Sequence, residues 1–464
     1  MLISASNLML WPHHVFRAQY RNGNHGRYFP ENIDATLLTH VCYAFAMPDA
    51  NYEIIPFEWN DVTDWNPSQG MYARFHAHVR TQNPAIRTLI SLGGWTFNEN
   101  AATRSRFTNM VETQATRATF IASCIAFARL HTFDGVDIDW EYPGHAGQGG
   151  RPQDKANFVL LLAEFRAAIN VDATNRGREP LLLAIAVGAG ASTVQNGYDV
   201  AAIHPHLDWI GVMSYDFHGS WESTTGMHTS MDPTDPMSVP AGMARFRDGG
   251  CPDDKLIMGF GTYGRGFALT TSDTGVGAAC SGGSAAGPTT GAAGFLAWFE
   301  IEAMIERGDA VTVTRDPATQ CPYVVSGTDW VGYDDVVSLQ HKANFAVQNN
   351  FAGGMFWALD LDDFVNGSYP LVSAVKNVFD GAQGTAPSIA PSTHAPTVAG
   401  ATLSPSTVPT VQPSNAPTTS NAPTTSGPTT VAPVTPASAT MAPTATAGEA
   451  RTGARKMIGY YSNW

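Results

Sequence analysis

Asp134-Gly-Val-Asp137-Ile-Asp139-Trp140-Glu141-Tyr142 alternates acidic and apolar residues with the period of a β-strand. Successive strand side chains point to opposite faces, so Asp137, Asp139 and Glu141 share one face. In a closed barrel that face is the interior, with Glu141 nearest the C-terminal mouth. Three carboxylates stacked at period two cannot all ionise comfortably. Like-charge neighbours raise one another's pKa, which keeps one carboxyl protonated near neutral pH and able to act as a general acid. A lone Asp-x-Asp could equally be a metal or capping pair, but four acids in an otherwise apolar strand point to catalysis.

Outward from this strand the pattern repeats. Apolar and β-branched runs at 39–46, 86–94, 181–188, 208–216, 256–263 and 353–360 are further strands. Amphipathic stretches near 69–82, 115–132, 153–170, 197–205, 236–248, 334–350 and 370–379 alternate with them. This alternation predicts a parallel α/β sheet, and seven strands are one short of a (β/α)8 TIM barrel. Residues 266–332 break the rhythm, with a helix-like AWFEIEAMIERG and strand-like VTVTR, CPYVV and DWVG; they predict a small α+β insertion domain. Cys280 and Cys321 both fall in it and are a candidate disulfide, whereas Cys42, Cys124 and Cys251 read as buried or free thiols.

The chain has 464 residues and a formal charge of −14. Residues 382–464 hold Arg451, Arg455 and Lys456 against Glu449, so the acidity, −16, belongs to residues 1–381. Nucleic acid as a partner is excluded by the lack of clustered Lys and Arg, and a membrane-spanning helix by the lack of an apolar run of about 18 residues. Residues 382–455 are rich in Pro, Thr and Ser and repeat Asn-Ala-Pro-Thr-Thr-Ser at 415–420 and 421–426. They read as a disordered linker, O-glycosylated or bare. Met1 to Trp11 has no basic residue before its apolar stretch and no cleavage signature, so no signal peptide is supported. His76 and His78, two apart on a helix, face apart, and no metal site is expected.

The acidic strand resembles the DxxDxDxE signature of family 18 glycoside hydrolases, the chitinases, with every acidic position filled. The resemblance extends through Ser91-Leu-Gly-Gly-Trp95, Met213-Ser-Tyr215-Asp216-Phe-His-Gly-Ser-Trp221, Tyr263-Gly-Arg265-Gly-Phe267 and Gly354-Met-Phe-Trp357-Ala-Leu-Asp360, and covers about 16–381. Gly261 departs from the proline usual before Tyr263. The resemblance implies a retaining mechanism with no enzyme nucleophile, an exception to the two-carboxylate scheme. Glu141 would be general acid and base, Asp139 would orient the substrate acetamido group and share a proton with Asp137, and Tyr215 would hydrogen-bond the acetamido oxygen. Asp216 and Met213 would line the same subsite. Trp357, Trp95, Trp221, Tyr142 and Phe45, at strand ends, are candidate sugar platforms, with core packing as the other reading for Phe45. Arg265 is a candidate substrate contact or a salt bridge. No cofactor is implied. The partner is chitin or chito-oligosaccharides, the setting extracellular, and 266–332 is similar to the chitinase insertion domain.

In the family the first barrel strand carries Tyr-Tyr-x-Asn-Trp and leads directly into Gln-Tyr-Arg. Here Gly459-Tyr460-Tyr461-Ser462-Asn463-Trp464 closes the chain, while Gln19-Tyr20-Arg21 stands near its start. The barrel is thus expected at 16–265 and 333–381, with 456–464 as a displaced first strand that fills the gap in cis or from another copy. Tyr460 would then line the site, and the chain would be monomeric unless the strand comes in trans. A linker of this length reaches roughly 45–50 Å, enough to cross a barrel. Met1–Trp11 is the rival for that strand, and one offset repeat of a multi-module chitinase would explain the order. A chitin-binding lectin, an inactive module and an endo-acting N-acetylglucosaminidase are the competing functions.

Overall fold

In the computed structural model, which describes residues 21, 26–62, 70–308, 311–365, 367–383 and 454–462, each of the seven apolar runs is a strand. In chain order the strands are β1 (His40–Pro48), β2 (Ile54–Pro56), β3 (Arg87–Gly93), β4 (Gly135–Asp139), β5 (Leu182–Gly188), β6 (Trp209–Met213), β7 (Leu256–Gly261), β8 (Tyr263–Ala268), β9 (Phe295–Ala297), β10 (Val311–Arg315), β11 (Pro322–Ser326), β12 (Asp329–Gly332), β13 (Gly353–Trp357) and β14 (Lys456–Ser462). The helices are α1 (Met71–Gln82), α2 (Trp95–Glu99), α3 (Arg106–Val111), α4 (Gln114–Leu130), α5 (Asp154–Arg176), α6 (Ala191–Gly197), α7 (Val200–Ile203), α8 (Val239–Asp248), α9 (Trp298–Arg307), α10 (Val336–Gln348) and α11 (Pro370–Gln383). Their ends follow local chemistry: Thr113 and Asp335 accept backbone N–H groups at the starts of α4 and α10, and left-handed Gly177 stops α5.

Eight parallel strands close a barrel in the order β14-β13-β7-β6-β5-β4-β3-β1, with β14 pairing back onto β1 and β2 added antiparallel to β1. The fold is therefore the α/β barrel. β14 is its eighth strand, with Lys456 to Gly459 paired to Gly353 to Phe356 and Ile458 to Ser462 paired to His40 to Ala44. Its side chains alternate as the position demands. Ile458 and Tyr460 join the small interior cluster with Ala184, Ala186 and Met355, whereas Met457 and Tyr461 join the larger core between barrel and helices. At its C-terminal end, Ser462 donates to Asp360 Oδ1 at 2.6 Å, and Arg21 pairs with Asp360 Oδ2 at 2.6 Å. The two pieces that the sequence separates meet on one buried carboxylate.

A five-stranded antiparallel sheet, β10-β11-β12-β8-β9, follows β7 and carries α9. It starts at Tyr263, three residues before the expected insertion boundary, because β8 pairs with β12 from Arg265 onward and with β9 from Tyr263. The stretch 197–205 is not one helix: Asp199 caps a new short one, α7. The expected Cys280–Cys321 disulfide is absent, and both are free thiols. Cys321 Sγ is turned to Thr229 and to Lys342 Nζ, 3.5 Å away, while Cys280 Sγ points to the Glu222 carbonyl. Sharing a small domain did not bring their sulfurs together. The Met1–Trp11 run offered as a rival strand, Gln19-Tyr20 and most of the 382–455 linker lie outside the described residues.

Candidate active site

The acidic ladder stands at the C-terminal mouth of the barrel, where β4 ends. The strand stops at Asp139, earlier than the expected Tyr142, so Asp137 and Asp139 point inward from the strand and Glu141 sits on the turn just beyond. All three are buried. Asp137 Oδ2 accepts two hydrogen bonds, from Ser91 Oγ at 2.8 Å and from the Tyr460 hydroxyl at 3.0 Å. Among the described residues its other oxygen and Asp139 Oδ1 have no hydrogen-bond partner. Each of these buried carboxylates thus keeps one oxygen open.

Burial, more than mutual repulsion, sets the proton affinities. It pushes Asp137 up to about 6 against the lowering effect of the Ser91 and Tyr460 donors. Asp139 is raised well above the usual carboxylate range by burial, then by Glu141 and Asp137. Glu141 is pushed up to about 8, first by burial and then by the negative charge of Asp216, with the Tyr142 hydroxyl working the other way. Like-charge crowding, the leading cause expected from the spacing, thus comes second.

Asp216 is the opposite case. Burial alone would raise it, but Arg265 holds it well below the usual range with two charge-assisted bonds, Nε to Oδ1 at 2.7 Å and Nη2 to Oδ2 at 2.6 Å. The Tyr263 hydroxyl donates to Oδ1 at 2.7 Å, and His228 stands 3.7 Å away. Arg265 therefore forms an ion pair, one of the two readings of its motif. Its guanidinium also lies over the rings of Trp221, Tyr263 and Phe295.

The aromatic residues divide. Trp95, at the start of α2, and Trp221 are exposed to 43% and 60%, as open platforms require. Trp357 is partly covered and lies on Phe45, centroids 5.8 Å apart at 29°, with Tyr460 at 5.5 Å. Phe45 itself is buried at 7%, pressed where a Cβ on Gly94 would be, so it supports Trp357 and is not itself a platform. Tyr142 and Tyr215 fill the room that side chains on Gly188 and Gly259 would take, and Met213 is buried beside them. Three non-proline cis peptides, Ala44–Phe45, Glu141–Tyr142 and Trp357–Ala358, lie around this mouth. Sequence reasoning missed Ser91, Tyr263 and His228 as holders of the two key carboxylates. Ser91 and Tyr263 lie inside motifs already singled out, whereas His228 carries no local signal. Among the described residues no group of His, Cys, Asp and Glu could hold a metal ion, and no helix is long and apolar enough to cross a membrane.

The family model described as glycosyl hydrolases family 18 matches residues 15–362. Human chitinase-3-like protein 2 is 36% identical over 365 residues, covering 76% of this chain and 87% of that protein. Mouse chitotriosidase-1 is 38% identical over 363 residues, covering 75% and 74%. Among solved structures, an immunomodulatory active chitinase from Trichuris suis superposes with a TM-score of 0.71 at 35% identity, over 78% of this chain and 96% of that one. Human YKL-39, described as a pseudo-chitinase with retained chitooligosaccharide binding, gives 0.70 at 36% identity over 78% and 97%.

Proposed function

As the chain belongs to the glycosyl hydrolases of family 18, we propose that it hydrolyses β-1,4-linked N-acetylglucosamine polymers with retention, through participation of the substrate's own acetamido group. The observation that carries this is Glu141, a buried carboxyl pushed up to about 8 at the mouth of the barrel. Such a group is still protonated at neutral pH and can give its proton to the glycosidic oxygen as the bond to the anomeric carbon breaks. The acetamido carbonyl oxygen attacks that carbon and forms an oxazolinium ion. Asp139, sharing a proton with Asp137, orients the acetamido N–H and offsets the positive charge, while the Tyr215 hydroxyl holds the acetamido oxygen. Water then opens the ring and passes its proton to Glu141, which ends as it began.

The open rings of Trp95 and Trp221 and the braced ring of Trp357 fit the apolar faces of successive sugars. The β8–β12 sheet, whose Arg265 grips Asp216 at the mouth, suits one wall of a cleft for a long substrate, and a polymer of this kind places the protein's work outside the cell. YKL-39, described as a pseudo-chitinase that retains binding, marks the competing reading, a lectin. The presence of Glu141 favours hydrolysis. The deciding experiment compares wild type and Glu141→Gln on a fluorogenic chitobioside while chito-oligosaccharide binding is followed by calorimetry. Wild type is expected to turn over and the variant to lose at least about 10³-fold with binding kept. Binding by wild type with no cleavage would establish the lectin instead.

A further inference from the structure

β14 differs from the other barrel strands in how it is reached: residues 384–455 separate it in sequence from α11. Its place is nevertheless closely shaped for it. It pairs on both sides, to β13 and to β1, and Lys456 N donates to the Ala352 carbonyl at 2.9 Å. Thr39 N donates to the Met457 carbonyl at 2.9 Å, and Met457 N donates back to the Thr39 hydroxyl at 2.9 Å. A side chain on Gly353 would stand 2.0 Å from the Lys456 carbonyl oxygen, and one on Gly459 would meet Leu359 and Leu38 at 2.8–2.9 Å. At the mouth Tyr460 supplies one of the two donors to Asp137, and its ring flanks Trp357.

We propose that the gap between β1 and β13 is a strand-acceptor site, that the chain's own Lys456–Ser462 segment is its ligand, docked without need of the covalent connection, and that this docking assembles the active site. The mode is strand addition: backbone pairing supplies the affinity, and the pockets for Ile458, Tyr460, Met457 and Tyr461 supply the selectivity. With the acceptor empty, Asp137 keeps only Ser91 as a donor and Trp357 loses the Tyr460 ring. The activity readout rests on the chitinase reading, but the docking does not.

The test uses the full chain with a protease site placed between residues 415 and 426 and cut after folding. The nicked protein is challenged with excess of a fluorescent synthetic peptide spanning 454–464. Stoichiometric uptake of the label and release of the original segment are expected, with loss of melting temperature, chito-oligosaccharide binding and hydrolysis when the segment is washed away and recovery when peptide is returned. A peptide carrying Tyr460→Phe should restore the melting temperature but leave hydrolysis reduced about tenfold or more with a shifted pH profile, which marks Tyr460 as a positioning residue. If the segment is lost on cutting and returned peptide is neither taken up nor restores the melting temperature, or if washed protein binds and cleaves as before, the proposal falls. If no form of the protein cleaves, while label uptake and recovery of sugar binding persist, the acceptor site stands and the chitinase reading fails.

Discussion

Asp216 and Glu141 lie in the same mouth, yet one is held ionised by Arg265 and the other kept protonated by burial. Opposed environments of this kind suit one carboxyl to give up a proton and the other to stay charged. If Glu141 is the acid, kcat/KM should fall on the alkaline side with an apparent pKa near the value of about 8 to which Glu141 is pushed, seen in a pH–rate profile with a neutral substrate. The same shift bears on stability. Glu141 and Asp137 have folded-state pKa values above their ordinary 4.5 and 3.8, so their contribution is complete below about pH 4 and is lost as pH rises through about 6 and about 8. Melting temperature should therefore decline between pH 5 and 8. Glu141→Gln, which cannot ionise, should flatten that decline and melt about 1–4 °C above wild type at pH 8, with no difference at pH 4. An unchanged slope in the variant would show that Glu141 does not titrate in this range. The spacing in the acidic strand reveals which residues converge, but the dominance of burial depends on how deep the mouth is, and no local pattern encodes depth. Arg265 illustrates the same limit: its motif marks it, while its bidentate grip on Asp216 requires β8 to cross the mouth.

At the scale of elements, the seven strands and most helices were legible because apolar runs of four to eight residues alternate with helical periods. The failures have physical causes. β4 stops short because the chain turns at the mouth after Asp139, whose pairs with Gly93 and Ala186 are the last of its two ladders. The thiols of Cys280 and Cys321 point to different partners, a fact of side-chain direction that proximity in sequence cannot supply. β14 was legible through its apolar-aromatic run and through the motif it completes. Its energetics are close to balance. Met457, Ile458, Tyr460 and Tyr461 are buried, which gives on the order of 6–12 kcal/mol at about 1.5–3 per side chain. Ordering seven residues of backbone costs on the order of 7–14 kcal/mol, so pairing and fit decide whether the strand docks. Gly353→Ala, which drives a methyl group into the Lys456 carbonyl, should therefore cost about 1–3 kcal/mol and lower the melting temperature by several degrees. Gly381→Ala in α11, where a Cβ meets nothing within 4 Å, should be neutral or slightly stabilising. Equal melting of the two variants would mean that the β13–β14 seam tolerates more than its geometry allows.

For the molecule as a whole, the formal charge of −14 acts at a range that no single contact does. A neutral N-acetylglucosamine polymer has no charge for this field to act on, so its binding should depend on stacking and hydrogen bonds and change less than about twofold between 50 and 500 mM salt. A partly deacetylated polymer carries ammonium groups and should be drawn to the same surface. Its KM should be lowest at low ionic strength and rise severalfold as the screening length falls from roughly 14 Å to about 4 Å. The acetamido group that the proposed mechanism needs is missing from deacetylated units, so kcat should drop with the degree of deacetylation at every salt concentration. The two effects separate in one experiment: field through the salt dependence of KM, chemistry through the salt-independent loss of kcat. Were KM for the cationic polymer insensitive to salt, the acidic surface would lie too far from the cleft to act on substrate, and the charge would bear on solubility alone.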